Sequence, residues 1–154
     1  MKHLITAIAL LLLQVSISHA QETPVRTKHY NLENKVAIQG YDPVAYFEQN
    51  SAVKGSKEYA TYYMGVTYYF SSAASRAEFK KSPAKYEPQY GGWCAYAMGA
   101  KGEKVEIDPK TFKVTDGKLF LFYNKYLNNT LPKWNKDENG LKNTADANWG
   151  KITK

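Results

Sequence analysis

The chain has 154 residues, a formal net charge of +7 and a single cysteine, Cys94. One cysteine excludes an intramolecular disulfide framework, and the length suits one domain with a sizeable core rather than two. Lysines are spread along the chain without a cluster, which argues against a nucleic-acid-binding stripe; 13 tyrosines, 6 phenylalanines and 3 tryptophans supply most of the core bulk instead.

Met1-Lys2-His3, the apolar run from Leu4 to Ile17 and the closing Ser18-His19-Ala20 have the three parts of a cleavable secretory signal peptide, spanning residues 1–20. The apolar run is too short for a stable span, and no later window approaches the roughly 20 apolar residues that a transmembrane helix needs. Gln21 rather than cysteine follows the predicted cut, which argues against a lipoprotein, and no Arg-Arg pair precedes the apolar run. The expectation is a soluble exported protein, periplasmic or extracellular, without a membrane span. Its charge falls to about +6 once Lys2 is removed, so attraction to an anionic cell surface is a better match than nucleic acid.

Residues 21–35 are polar and carry Pro24, and read as an extended leader to a domain over residues 36–154. Asp42-Pro43 starts a short helix, with Asp42 as N-cap and Val44 and Phe47 on its apolar face. Two β-rich runs, Glu58 to Met64 and Val66 to Phe70, break at Gly65 and read as a hairpin. Ser71-Ser72 caps a helix running to about Lys81, and Pro83 opens a further turn toward Tyr86. Gly91-Gly92 precedes a helix from Trp93 to Met98 that Gly99 closes. Asp116-Gly117 between Thr111–Thr115 and Lys118–Tyr123 is a strong hairpin signal. The tail from Leu131 to Trp149 reads as helix, with Trp134, Leu141, Ala145 and Trp149 available for packing. Strands and helices mix without βαβ alternation. The fold class is therefore α+β: a small antiparallel sheet built from hairpins, with several short helices around it, in one domain.

Four ordered segments carry a family resemblance: Gly40-Tyr41-Asp42-Pro43-Val44-Ala45-Tyr46-Phe47; Tyr63-Met64-Gly65-Val66-Thr67-Tyr68-Tyr69-Phe70-Ser71-Ser72; the spacing Phe79, Pro83, Lys85-Tyr86; and Pro88-Gln89-Tyr90-Gly91-Gly92-Trp93-Cys94-Ala95-Tyr96-Ala97. Together with Asp108-Pro109, Asp116-Gly117-Lys118-Leu119 and the closing Ala145-Asp146-Ala147-Asn148-Trp149, they resemble the YHS domain family, and more closely its exported bacterial branch. Relatives that place this module beside heavy-metal transport domains carry cysteines after Asp-Pro-Val and around the helix start that follows the Tyr-Phe strand. Here Ala45 stands at the first of those positions and Ser71 and Ser75 at the later pair. A methyl group and two hydroxyls cannot replace soft thiolate ligands, so that metal function does not carry over at those positions. Some exported relatives are selenoproteins, which implies a redox-active position somewhere in the family.

Cys94 is the candidate functional residue. It follows a Gly-Gly break near a helix start, where unpaired amides would favour a thiolate; the competing reading is a small buried hydrophobe among Trp93, Ala95 and Ala97. Met98, four residues on, shares a helix face with Cys94 if the segment is helical. A thiolate and a thioether suit copper(I), with Met64 or His29 to complete the set, although core packing also explains both methionines. Tyr41, Tyr46, Tyr68, Tyr69, Tyr86, Tyr90 and Tyr96 offer an aromatic pocket for a small ligand, or core-edge rings with hydroxyls paired to backbone. Neither a haem-attachment motif nor a phosphate-binding loop nor a dinucleotide fingerprint is present, and one mature histidine leaves no ordinary Cys-His-acid triad. Asn128-Asn129-Thr130 matches a glycosylation acceptor. The leading expectation is a non-enzymatic exported binding module connected with metal handling, copper included, or redox handling, centred on the Cys94 segment, with a metal ion or a small ligand as its partner. The alternatives are a thiol-dependent redox enzyme in which Cys94 cycles with an external thiol, and a structural or partner-binding domain, which a poorly accessible Cys94 favours.

Overall fold

The computed structural model describes residues 23–154; the segment expected to be a signal peptide, with its expected cleavage site, lies outside the described residues. Residues 23–29, expected within an extended leader, form helix α1 instead. They belong to the folded body, because the Arg26 side chain is buried in an ion pair with Glu87 and donates to Tyr30 Oη and Met64 O. The polar composition that reads as an extended leader includes Arg26, whose partners lie far along the chain.

Strands β1 (Leu32–Glu33) and β2 (Val36–Ala37) follow, then a 3₁₀ turn over Ile38–Gly40 and helix α2 (Pro43–Glu48). Asp42 caps α2 by accepting from Val44 N at 2.9 Å, and Pro43 occupies the first helical position, where no backbone donor is needed. The expected hairpin is present as β3 (Ser56–Tyr63) and β4 (Val66–Phe70), turning at Met64-Gly65 with both residues left-handed. The sheet order is β1-β2-β4-β3, and a parallel contact, Val36↔Thr67, ties the first hairpin to β4. Helix α3 (Ala73–Lys81), capped by Ser72 on Ser75 N, and the short α4 (Pro83–Tyr86) cover one side. Phe79 projects from α3 into a ring cluster, with centroids of Tyr68 at 4.9 Å and Phe70 at 5.1 Å.

The strained turn Gln89–Gly92 leads into α5 (Ala95–Lys101), and Asp116-Gly117 closes a third hairpin of β5 (Asp108–Thr115) and β6 (Lys118–Phe122). β7 (Asn124–Lys125) and β8 (Asn128–Asn129) form a fourth, minimal hairpin. The tail is two helices, α6 (Leu131–Lys136) and α7 (Glu138–Ile152). They separate at Asp137, whose non-helical backbone (φ −148°, ψ 56°) lets its carboxylate cap α7 through Gly140 N. The α+β expectation holds.

Gly99 does not close α5. The helix runs one turn farther and ends at Gly102, which is left-handed (φ 69°). A Cβ at Gly99 would lie 2.6 Å from the backbone oxygen of Leu141, so this glycine permits α5 and α7 to touch. A glycine that looks like a stop signal in sequence is here a packing requirement.

β6 divides the interior. Leu119 and Leu121 face the cluster built on β4, α2 and α3, whereas Phe120 and Phe122 face a second cluster with Met98, Trp134 and Ala145. The alternation is the period-two geometry of a strand buried on both faces, and it decides where the sulfur atoms point.

Candidate functional site

Cys94 is the N-cap of α5, with non-helical backbone (φ −56°, ψ 115°), and it pairs with β6 through a bridge to Leu121 while its N–H donates to Val105 O at 2.9 Å. These strand-like contacts direct the side chain inward, and the residue has no exposed surface. Its Sγ accepts the Tyr123 N–H at 3.3 Å and lies 3.5 Å from Thr130 Oγ1. Although Cys94 stands at the expected helix terminus, no hydrogen bond from the α5 amides reaches its sulfur. A small alkylating reagent should therefore modify Cys94 at the rate of unfolding. Modification of the native protein as fast as a free model thiol would show a path to the sulfur.

Met98 is also fully buried, yet it belongs to the cluster on the other side of β6. The four-residue spacing places two side chains on one face only when both residues are helical, and Cys94 as cap is not. The thiol and thioether thus diverge. Met64 sits at the β3–β4 turn against Arg26. His29 Nδ1 lies 3.0 Å from Lys104 Nζ, and partial burial together with Lys104 and Lys28 lowers the imidazole pKa below its ordinary value. Among the described residues no three His, Cys, Asp or Glu side chains gather in a metal-binding arrangement.

Ser71 and Ser75 do come together with the turn of α2 that carries Ala45. Both hydroxyls donate to Asp42 Oδ2, at 2.7 and 2.6 Å, beside a bond from Ser71 N at 2.9 Å. Asp42 is fully buried, and Ala45 one turn on has no exposed surface. The positions at which the resembled family carries thiolates are here part of the hub joining α2, β4 and α3, with one donor on Asp42 Oδ1 and three on Oδ2.

The tyrosines disperse rather than converge. Tyr46 Oη donates to Pro109 O at 2.8 Å, Tyr68 Oη to Glu87, and Tyr90 Oη to Asp146 at 2.9 Å. Burial is the main reason that all three phenols are held well above their usual pKa, with the neighbouring carboxylates adding to it. They stay protonated and donate.

A cleft of about 340 Å³ opens beside Cys94. Ala97 and Ala100 of α5, Val105, and the rings of Tyr96 and Tyr123 make most of its wall, with Cys94 beneath the floor. Lys101, Glu103 and Asn128 supply polar groups at its edge. Thr130, buried, donates to Tyr123 O at 3.0 Å and fixes the wall where β8 leaves it. The sequence singled out Cys94 and Tyr96 from this wall; Tyr123, Val105 and Thr130 arrive from segments ten to forty residues away and carry no local motif, apart from a glycosylation-like triplet that here serves packing. The arrangement can bury an apolar group of modest size and place a charge of either sign beside it. No protein-family model, curated protein or solved structure matches this chain, so the cleft's own chemistry is the ground for its function.

Proposed function

We propose that this chain is an exported binding module of the YHS type that takes a small amphiphilic ligand in the cleft beside Cys94. The observation that carries the reading is the largely apolar wall between α5 and Tyr123, edged by Lys101 and Glu103. Clefts with that composition bind by burying apolar surface and use a few edge groups for orientation. Export is supported by the residue pattern of Met1 to Ala20, and the YHS type by the ordered motifs from Gly40 to Trp149. Cys94 acts in this reading as part of the supporting floor. Copper binding by Cys94 with Met98, and thiol redox chemistry at Cys94, draw no support from two sulfurs that are fully buried in separate clusters.

The test uses anilinonaphthalene sulfonate, an apolar ring system with one anionic group. The folded protein should bind it with enhanced fluorescence. Ala100→Trp should weaken binding at least about tenfold, because Ala100 is an exposed position on α5 that lines the cleft, so the larger side chain fills it without entering the core. An unchanged melting midpoint in the variant confines the effect to the cleft. Equal binding by both proteins, or none by the native one, would overturn the reading.

A further inference from the structure

The β7–β8 hairpin ends in two residues that break the rules of their turn. Tyr126 and Leu127 connect Lys125 to Asn128 in a two-residue loop, both with left-handed backbone (φ 53° and 61°), the type I′ pattern that Asn-Gly satisfies with least strain. A bulky aromatic and a leucine there are unfavourable locally, and nothing packs on them: Tyr126 is 92% exposed and Leu127 108%. The hairpin base is fixed, since Thr130 N and Oγ1 both donate to Tyr123 O at 3.0 Å and Leu131 N donates to Asn129 Oδ1 at 3.0 Å. A strained, rigidly mounted and fully exposed apolar tip is a feature retained for something outside the molecule.

Charge indicates what that is. Lys125 is in the hairpin itself, Lys133 donates to Asn128 Oδ1 at 2.7 Å, and Lys101 borders the same cleft as Asn128. None of these three lysines forms an ion pair among the described residues. The tip is therefore an apolar point with a basic collar. A second copy of the chain would bring its own net positive charge against it, and a knob of two side chains offers far less than the roughly 800 Å² per partner of a stable protein interface. A bilayer surface imposes neither limit: tyrosine and leucine partition into the interfacial zone, and lysines beside them meet anionic headgroups.

We infer that the Tyr126–Leu127 tip docks this protein on anionic lipid surfaces, inserting the two side chains at the interface while Lys101, Lys125 and Lys133 face the headgroups. This is peripheral attachment, consistent with the finding that no helix among the described residues is long and apolar enough to cross a membrane. It shares Lys101 with the edge of the Cys94 cleft, but neither Tyr126 nor Leu127 lines that cleft.

Sedimentation with vesicles of phosphatidylglycerol and phosphatidylcholine, against phosphatidylcholine alone, tests it on the protein beginning at Gln21. The native protein should partition onto the anionic vesicles at least about tenfold more strongly, and less so as salt is raised through the range that screens charge. Tyr126→Asn with Leu127→Gly should lose at least about tenfold of that partitioning while keeping or raising the melting midpoint, because Asn-Gly suits the turn. Lys125→Glu should weaken anionic binding in a folded protein. The inference falls if the native protein stays in the supernatant, if the double variant binds as well as native, or if sedimentation velocity shows a dimer that the same substitutions dissolve. Anilinonaphthalene sulfonate binding in the double variant separates the two proposals, since the cleft lies outside the tip.

Discussion

Asp42→Ala should lower the unfolding free energy by about 3–5 kcal/mol, read as a fall in denaturant midpoint with unchanged slope. The carboxylate receives Val44 N on one oxygen and Ser71 N, Ser71 Oγ and Ser75 Oγ on the other, all in a fully buried position. Hydrogen bonds to a charged acceptor contribute more than neutral ones, and the truncation leaves buried donors unpaired as well as removing the α2 cap. Asp42→Asn retains a capping oxygen but sets an NH₂ group against two hydroxyl donors, so its loss should be smaller and still above about 1 kcal/mol. Ser75→Ala removes one donor from an acceptor that keeps three others and should cost about 1 kcal/mol. A loss below about 1 kcal/mol for Asp42→Ala would mean that the cluster is not the hub joining α2, β4 and α3.

The second large effect is expected at Arg26, in the segment that composition assigns to a leader. Arg26→Ala should cost about 3–5 kcal/mol, because it strands Glu87 in a site where both side chains are largely buried. The guanidinium pairs with both Glu87 oxygens, donates to Met64 O and Tyr30 Oη, and stacks against the rings of Tyr30 at 4.7 Å and Tyr63 at 5.2 Å. Burial opposes its charge, and the hydrogen bonds and attraction of Glu87 outweigh that penalty, so its pKa is raised and the pair does not titrate from the arginine side. Arg26→Lys cannot reproduce the fork, and most of the loss should persist. Removal of residues 21–30 should destabilise to a similar degree or more. If that truncation instead leaves the chemical denaturation curve unchanged, α1 is an appendage and the ion pair contributes nothing net.

These two residues mark different degrees of legibility. Asp42 could be recognised as a cap because the signal is local: an acidic side chain, a proline one residue on, and apolar spacing behind it. Its bonds to Ser71 and Ser75 could not, since they depend on how α3 lies across α2. Arg26 carried no local signal, because the partner that makes it structural is 61 residues away. Gly99 reads equally well as a helix stop or a contact point, and the proximity of Leu141 resolved it.

What the residues determined by themselves were the period-dependent features: the hairpins at Met64-Gly65 and Asp116-Gly117, the capped helices at Ser72 and Pro43, and the α+β class that their order implies. Each depends on backbone preferences within a few residues of the turn or cap. Tertiary structure alone decided the fate of the sulfurs and the place of the cleft. Cys94 and Met98 are four apart in sequence, yet β6 runs between the clusters they enter, and a residue that caps a helix while bridging to a strand follows the strand's direction. The cleft wall likewise joins α5, Val105 and Tyr123, whose approach is set by burial of both faces of β6, a long-range packing condition that no window of sequence contains.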